Sequence, residues 1–270
     1  MEASAETTDP KRDRQALVVF LVLAICLSAI ASYPIIKSGQ IGAWDGMAVR
    51  LLMWAPGVSG LISAVLVFRS LRPLGLLGNR KVLFWIIVCL LVPFAYTLVI
   101  YPFLAAVGWV SLGTRNFTAS FFIVGLLFSL LNALGEELGW RGFAAPVVSR
   151  VFGFWRGQSI LGIVWFLYHL PILLLTDYGQ SPHPFFGNLM FLITVVGLSY
   201  FLGWARQQSD SVWPCAIFHA SHNLVFQHLF DPMTIQNPSA TWLQGEQGLM
   251  LAATNVLLAA CVLFAYRHRR

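Results

Sequence analysis

A few groups able to move a proton or steady a charge stand inside otherwise apolar stretches of this chain. They are Glu136, Glu137 and Arg141; His169; and His219, His222, Asn223 and His228. Ionisable side chains in such surroundings are costly, so each is a functional candidate by default. Glu137 and Arg141 are four residues apart with the acid first, so on a helix the guanidinium neutralises Glu137 and the two read as a structural ion pair. Glu136 is turned about 100° away and lacks that counter-ion, which suits a general base acting on water. His169 stands two residues before Pro171, which has no N–H for the carbonyl of Leu167, so the helix should bend or loosen there. Its plain alternative is a hydrogen-bonded packing residue. His219 and Asn223 are i and i+4 and point the same way, with His222 close to that face. Ser221 points elsewhere and no Asp completes a serine triad; an interhelical polar clamp is the competing reading. Glu136, His169 and His219 are also the candidates for holding a divalent metal such as zinc. No His-Glu-x-x-His is present and the ligands would come from three helices, so a metal-free and a metal-assisted site both stay open.

The elements that must position these groups follow from composition. Of 270 residues, 58% are hydrophobic and only 10% charged, with a mean hydropathy of +0.73, against about 25% charged in an ordinary soluble domain. This excludes a water-soluble globular enzyme, a disordered linker and a disulfide-stapled secreted module. The apolar runs are continuous for about 20 residues, the length of a helical span, without the alternation of a membrane barrel. The expected fold is an all-α polytopic membrane bundle of about eight transmembrane helices, over roughly 16–35, 47–68, 82–104, 119–138, 158–176, 185–205, 213–230 and 248–266. Residues 1–15 form a polar cytoplasmic N-terminus, mixed in charge and unlike a cleaved signal, and residues 16–270 form one membrane domain. Kinks are expected at Pro56 and at Pro93 and Pro102.

Charge sets the orientation. Lys11, Arg12, Arg14, Arg69, Arg72, Arg80, Lys81, Arg150, Arg156, Arg206, Arg267, Arg269 and Arg270 fall on one side of an eight-span chain; Lys37, Arg50 and Arg115 fall on the other. The positive-inside rule makes both termini cytoplasmic, in the cell membrane if the source is bacterial. The net charge of +6 is thus explained by topology, and no nucleic acid partner is expected. Cys26, Cys89, Cys215 and Cys261 lie in apolar runs without a Cys-x-x-Cys pair and read as buried hydrophobes. Trp140 to Arg156 interleaves aromatic and basic residues, which suits a helix extension in the headgroup region. Asn116-Phe117-Thr118 matches a glycosylation sequon. With 1.5 Å rise per residue, His169, His219 and Asn223 lie about 10 to 18 Å in from the cytoplasmic side. Glu136 is near that side, or deeper if its helix runs on towards Arg150. A polar cavity facing the cytoplasm is the expectation.

Glu136-Glu137-x-x-x-Arg141, Trp165-x-x-x-His169 and His219-x-x-x-Asn223, in this order over about 119–230, resemble the CAAX protease and bacteriocin-processing (CPBP/Abi) family of intramembrane proteases. Trp165 stands where that family usually has Phe. The resemblance implies hydrolysis of a peptide bond in a membrane-associated or lipidated peptide. Glu136 and His169 would activate water, and His219 and Asn223 would stabilise the oxyanion. The substrate would be a peptide or lipidated protein in the lipid bilayer, and the family has been read both as glutamate-dependent and as a metalloprotease. The alternative is a non-catalytic membrane adaptor or bacteriocin-immunity-type protein using the same cluster as scaffold. A transporter is weaker, since no inverted copy of the polar motif is present.

Overall fold

A computed structural model describes residues 9–44, 46–113, 118–179, 181–236 and 240–268. The sequon at Asn116, and the basic residues Arg115, Arg269 and Arg270, lie outside them. Backbone groups in hydrocarbon must be satisfied within their own segment, so the apolar runs become helices. Helix α1 spans Pro10–Ser38: Asp9 caps its start by accepting from the Lys11 amide, and Gly39, at φ 68°, ends it. Helix α2 (Met47–Ser63) runs on as a π-helical turn over Ala64–Phe68, and α3 covers Val82–Ala106. Helix α4 (Ala119–Glu137) continues through a π-helical stretch, Leu138–Ala144, into α5 (Ala145–Phe152). Helices α6 (Phe154–Leu175) and α7 (Pro184–Ser209) follow. Helix α8 (Trp213–His222) passes into a π-helical stretch, Asn223–Phe230, and the short α9 (Asp231–Met233); α10 (Leu249–Arg267) closes the described chain. Two short strands, β1 (Val110–Leu112) and β2 (Thr234–Gln236), pair antiparallel between loops.

Seven of these helices are long and apolar enough to cross a membrane, which makes this an integral multi-pass protein. The segment expected as a further span over 213–230 is helical, as α8 and its π-helical continuation, but is not one of the seven. It is too polar to count with the others because it carries His219, His222, Asn223, Gln227 and His228. Both described ends of the chain lie at one end of the bundle: Arg150 grips Asp13 through two hydrogen bonds, and Tyr266 stacks on Phe154.

Two expectations need correction. The segment from Trp140 does not lie at the headgroup surface; Trp140, Arg141, Phe143 and Ala144 are buried, and the fourth span runs over 122–152. Phe20 packs edge-on against Trp140 and tilted against Phe143, so these aromatics are wanted by α1 rather than by lipid headgroups. Helix α6 runs on through Pro171. Of the cysteines, Cys89 and Cys215 are buried, whereas Cys26 and Cys261 face outward.

The site is placed by a close crossing of α2 and α4. A Cβ on Gly57 would lie 2.3 Å from the Gly135 carbonyl oxygen, and one on Gly139 would lie 2.3 Å from the Pro56 backbone. Small residues let membrane helices approach to backbone contact, and here two of them flank the Glu136-Glu137 pair.

Candidate active site

Two of the three sequence segments that carry ionisable groups meet a π-helical stretch. Leu138–Ala144 begins directly after Glu137, and Asn223–Phe230 begins at Asn223 itself. Such local widenings of a helix recur at functional sites because they redirect side chains that a regular helix would stack. Between these segments, α6 and α7 enclose a cavity of about 340 Å³. Glu136, His169, His219 and Asn223 all line it.

Glu137 and Arg141 are fully buried and do not line the cavity. Arg141 donates from Nη1 to Glu137 Oε1 at 3.0 Å and from Nη2 to Ser199 Oγ at 3.4 Å. The same Glu137 oxygen lies 3.0 Å from Nδ1 of His219. A carboxylate only accepts, so His219 carries its proton on Nδ1 here and turns Nε2 away from Glu137. Glu137 therefore orients a cavity histidine as well as closing an ion pair, a role that the i, i+4 spacing alone did not reveal.

Glu136 has a different setting. Its Oε2 accepts from the indole Nε1 of Trp165 at 3.0 Å. His169 is fixed through Nδ1, 2.8 Å from the carbonyl oxygen of Trp165. A carbonyl also only accepts, so the neutral His169 ring has its lone pair on Nε2. The Trp165 ring packs against both histidines, with ring centroids 5.9 Å from His169 and 6.1 Å from His219.

The cavity does not sit where the depth argument put it. Its lining includes Ile41 beyond α1, Tyr178 beyond α6 and Glu246 before α10, so it reaches the end of the bundle opposite Asp13 and Arg150. Because α4 runs on to Phe152, Glu136 is sixteen residues from that helix end, about 24 Å away. Among the described residues, no three His, Cys, Asp or Glu side chains converge to hold a metal ion. Glu136, His169 and His219 do not form a ligand set in this arrangement.

Residues 118–225 match a protein-family model described as type II CAAX prenyl endopeptidase Rce1-like. The chain is similar to this family over that stretch, less than half of its length. Over 107 residues it is 27% identical to CAAX prenyl protease 2 of Methanococcus maripaludis, a stretch that makes up 38% of this chain and 40% of that relative. The chain thus matches about two fifths of the relative's length. All four candidate residues fall inside the Rce1-like stretch.

Further groups complete the cavity beyond that stretch. Glu246 accepts from Gln227 Nε2 at 2.8 Å and Tyr178 Oη at 2.8 Å, and meets His222 Nε2 at 3.0 Å. Nδ1 of His222 is engaged by the Tyr96 hydroxyl. With both nitrogens held, His222 lines the cavity as a strut for the segment before α10, and His228 lines it nearby. Glu246 escaped the sequence reading because it falls in a loop between spans, where an acidic residue calls for no explanation.

Proposed function

We propose that this protein hydrolyses a peptide bond in a membrane-associated or lipidated peptide, as a CAAX-type endopeptidase. The observation that supports the reading best is the division of the two glutamates. Glu136 reaches the cavity and is held by a neutral indole, while Glu137 is withdrawn behind it and holds Arg141 and His219. In this reading Glu136, helped by the His169 Nε2 lone pair, takes a proton from a water as its oxygen attacks the carbonyl carbon. The Asn223 amide and His219, when its ring carries both protons, donate to the oxyanion. The proton held by Glu136 then passes to the departing amine as the C–N bond breaks. The cluster of basic residues at the end where both described ends of the chain lie supports a cytoplasmic position for that end.

The test pairs two variants of near-identical size. With purified protein in detergent and a panel of prenylated and unmodified C-terminal peptides, Glu136→Gln should abolish cleavage at normal folded yield. Gln hydrogen-bonds but cannot take a proton. Glu137→Gln should instead lower the folded yield, since breaking a buried ion pair costs about 3–5 kcal/mol. Full turnover in Glu136→Gln would remove Glu136 as the base; a parent that cleaves no peptide of the panel would remove the peptidase reading and leave the adaptor.

A further inference from the structure

The centre of the cluster is neither glutamate nor either histidine but Trp165. This side chain is 5% exposed. Its edge donates the indole N–H to Glu136 Oε2. Its face carries the Arg141 guanidinium, 3.8 Å above the ring. Its ring packs against His169 and His219, and its own backbone carbonyl fixes the His169 ring. One aromatic side chain thus touches the ion pair, the proposed base and both histidines.

We infer that Trp165 is a positioning residue which aims Glu136 through its indole N–H, and that the residue type matters for that bond. The inference rests on the peptidase reading above. A phenylalanine, which the family pattern carries at this point, supplies the aromatic wall but no donor. With Oε2 held by the indole, Oε1 of Glu136 is left to meet a water. A cation over the ring face draws electron density from the indole and strengthens its N–H as a donor. Arg141 therefore acts on Glu136 through Trp165, although the two residues are turned apart on their own helix. Holding a base within hydrogen-bond reach of its water contributes to the rate of the chemical step more than to substrate affinity.

The experiment compares the parent with Trp165→Phe in steady-state cleavage of whichever peptide the parent accepts. Trp165→Phe should lower kcat roughly tenfold, the value of one hydrogen bond to a charged group, with KM within about twofold. Replacement at 165 by benzothienylalanine, which keeps the shape of indole with sulfur in place of N–H, should give the same loss; it also serves if the smaller Phe fails to fold. In protein labelled with ¹⁵N-tryptophan, the indole N–H signal missing from these two variants should move in Glu136→Ala. An active parent whose kcat is unchanged by either replacement, or a Trp165 signal indifferent to Glu136→Ala, overturns the inference while leaving the peptidase reading standing. A parent and Glu136→Gln that are equally inert overturn that reading first, and the inference with it.

Discussion

Two buried carboxyl groups outside the spans are shifted in opposite directions. Desolvation raises the Asp231 carboxyl from 3.8 to about 7, against the hydrogen bond from the Tyr101 hydroxyl and with help from the charge of Glu246. Burial pushes Glu246 up as well, but His222, Gln227 and Tyr178 together outweigh it and bring Glu246 down to about 2. For Asp231 the folded state keeps a proton that the unfolded chain has lost between about pH 4 and 7, so stability falls as pH rises through that window. For Glu246 the stabilisation is present above about pH 4.5 and is lost as pH falls towards 2. Thermal unfolding followed from pH 5 to 7 should therefore show a decline that Asp231→Asn flattens; an unchanged slope in that variant would place the effect elsewhere. The individual groups were legible in the sequence to an unequal degree. Glu137 and Arg141 announced their bond by spacing, and the structure shows it at 3.0 Å. The indole bond to Glu136 and the histidine bond to Glu137 join residues 29 and 82 positions apart. No helical period connects such positions, so only the packing of α4, α6 and α8 brings them together.

At the scale of elements, the crossing of α2 and α4 depends on missing side chains. Gly135 and Gly139 are i and i+4, one row along α4, and they meet Met53, Trp54 and Pro56 of α2 at backbone distance. Gly139→Ala should separate the two helices and tilt Glu136 out of the cavity, lowering folded yield and the unfolding temperature together. Gly42→Ala, where an added Cβ meets nothing within 4 Å, is the control and should leave both unchanged. If Gly139→Ala unfolds like the parent, the crossing adapts and the glycines do not set it. The sequence announced the spans themselves because hydrocarbon permits few alternatives to a helix. It did not announce where α4 ends, because the π-helical stretch Leu138–Ala144 lets one helix continue past a Glu-Glu-x-x-x-Arg segment that reads as a polar terminus. The same stretch turned an expected surface segment into core.

For the molecule as a whole, the even number of passes can be tested from both ends at once. In a background with Cys26 and Cys261 replaced by serine, single cysteines at Asp9 and His268 should react with a membrane-impermeant thiol reagent from the same side, and one at Gln40 from the other. Labelling of the first two from opposite sides would break the eight-pass arrangement. Length adds a constraint of another kind. The continuous helix over Phe122–Phe152 has 31 residues, about 47 Å at 1.5 Å per residue, and must fit a hydrocarbon layer of about 30 Å. Helix α10, at 19 residues, is about 29 Å long and matches that layer nearly upright. One bundle therefore presents a long helix and a short one to the same bilayer, so the lipid must thicken, the long helix must lean, or both. Glu136 lies midway along the long helix, and leaning leaves its depth almost unchanged. In the proposed reaction the bond to be cut would have to come within reach of the bilayer midplane, where a spanning segment has its own amides hydrogen-bonded in helix. A chain end drawn in extended form meets that demand with far less unwinding than the middle of a span.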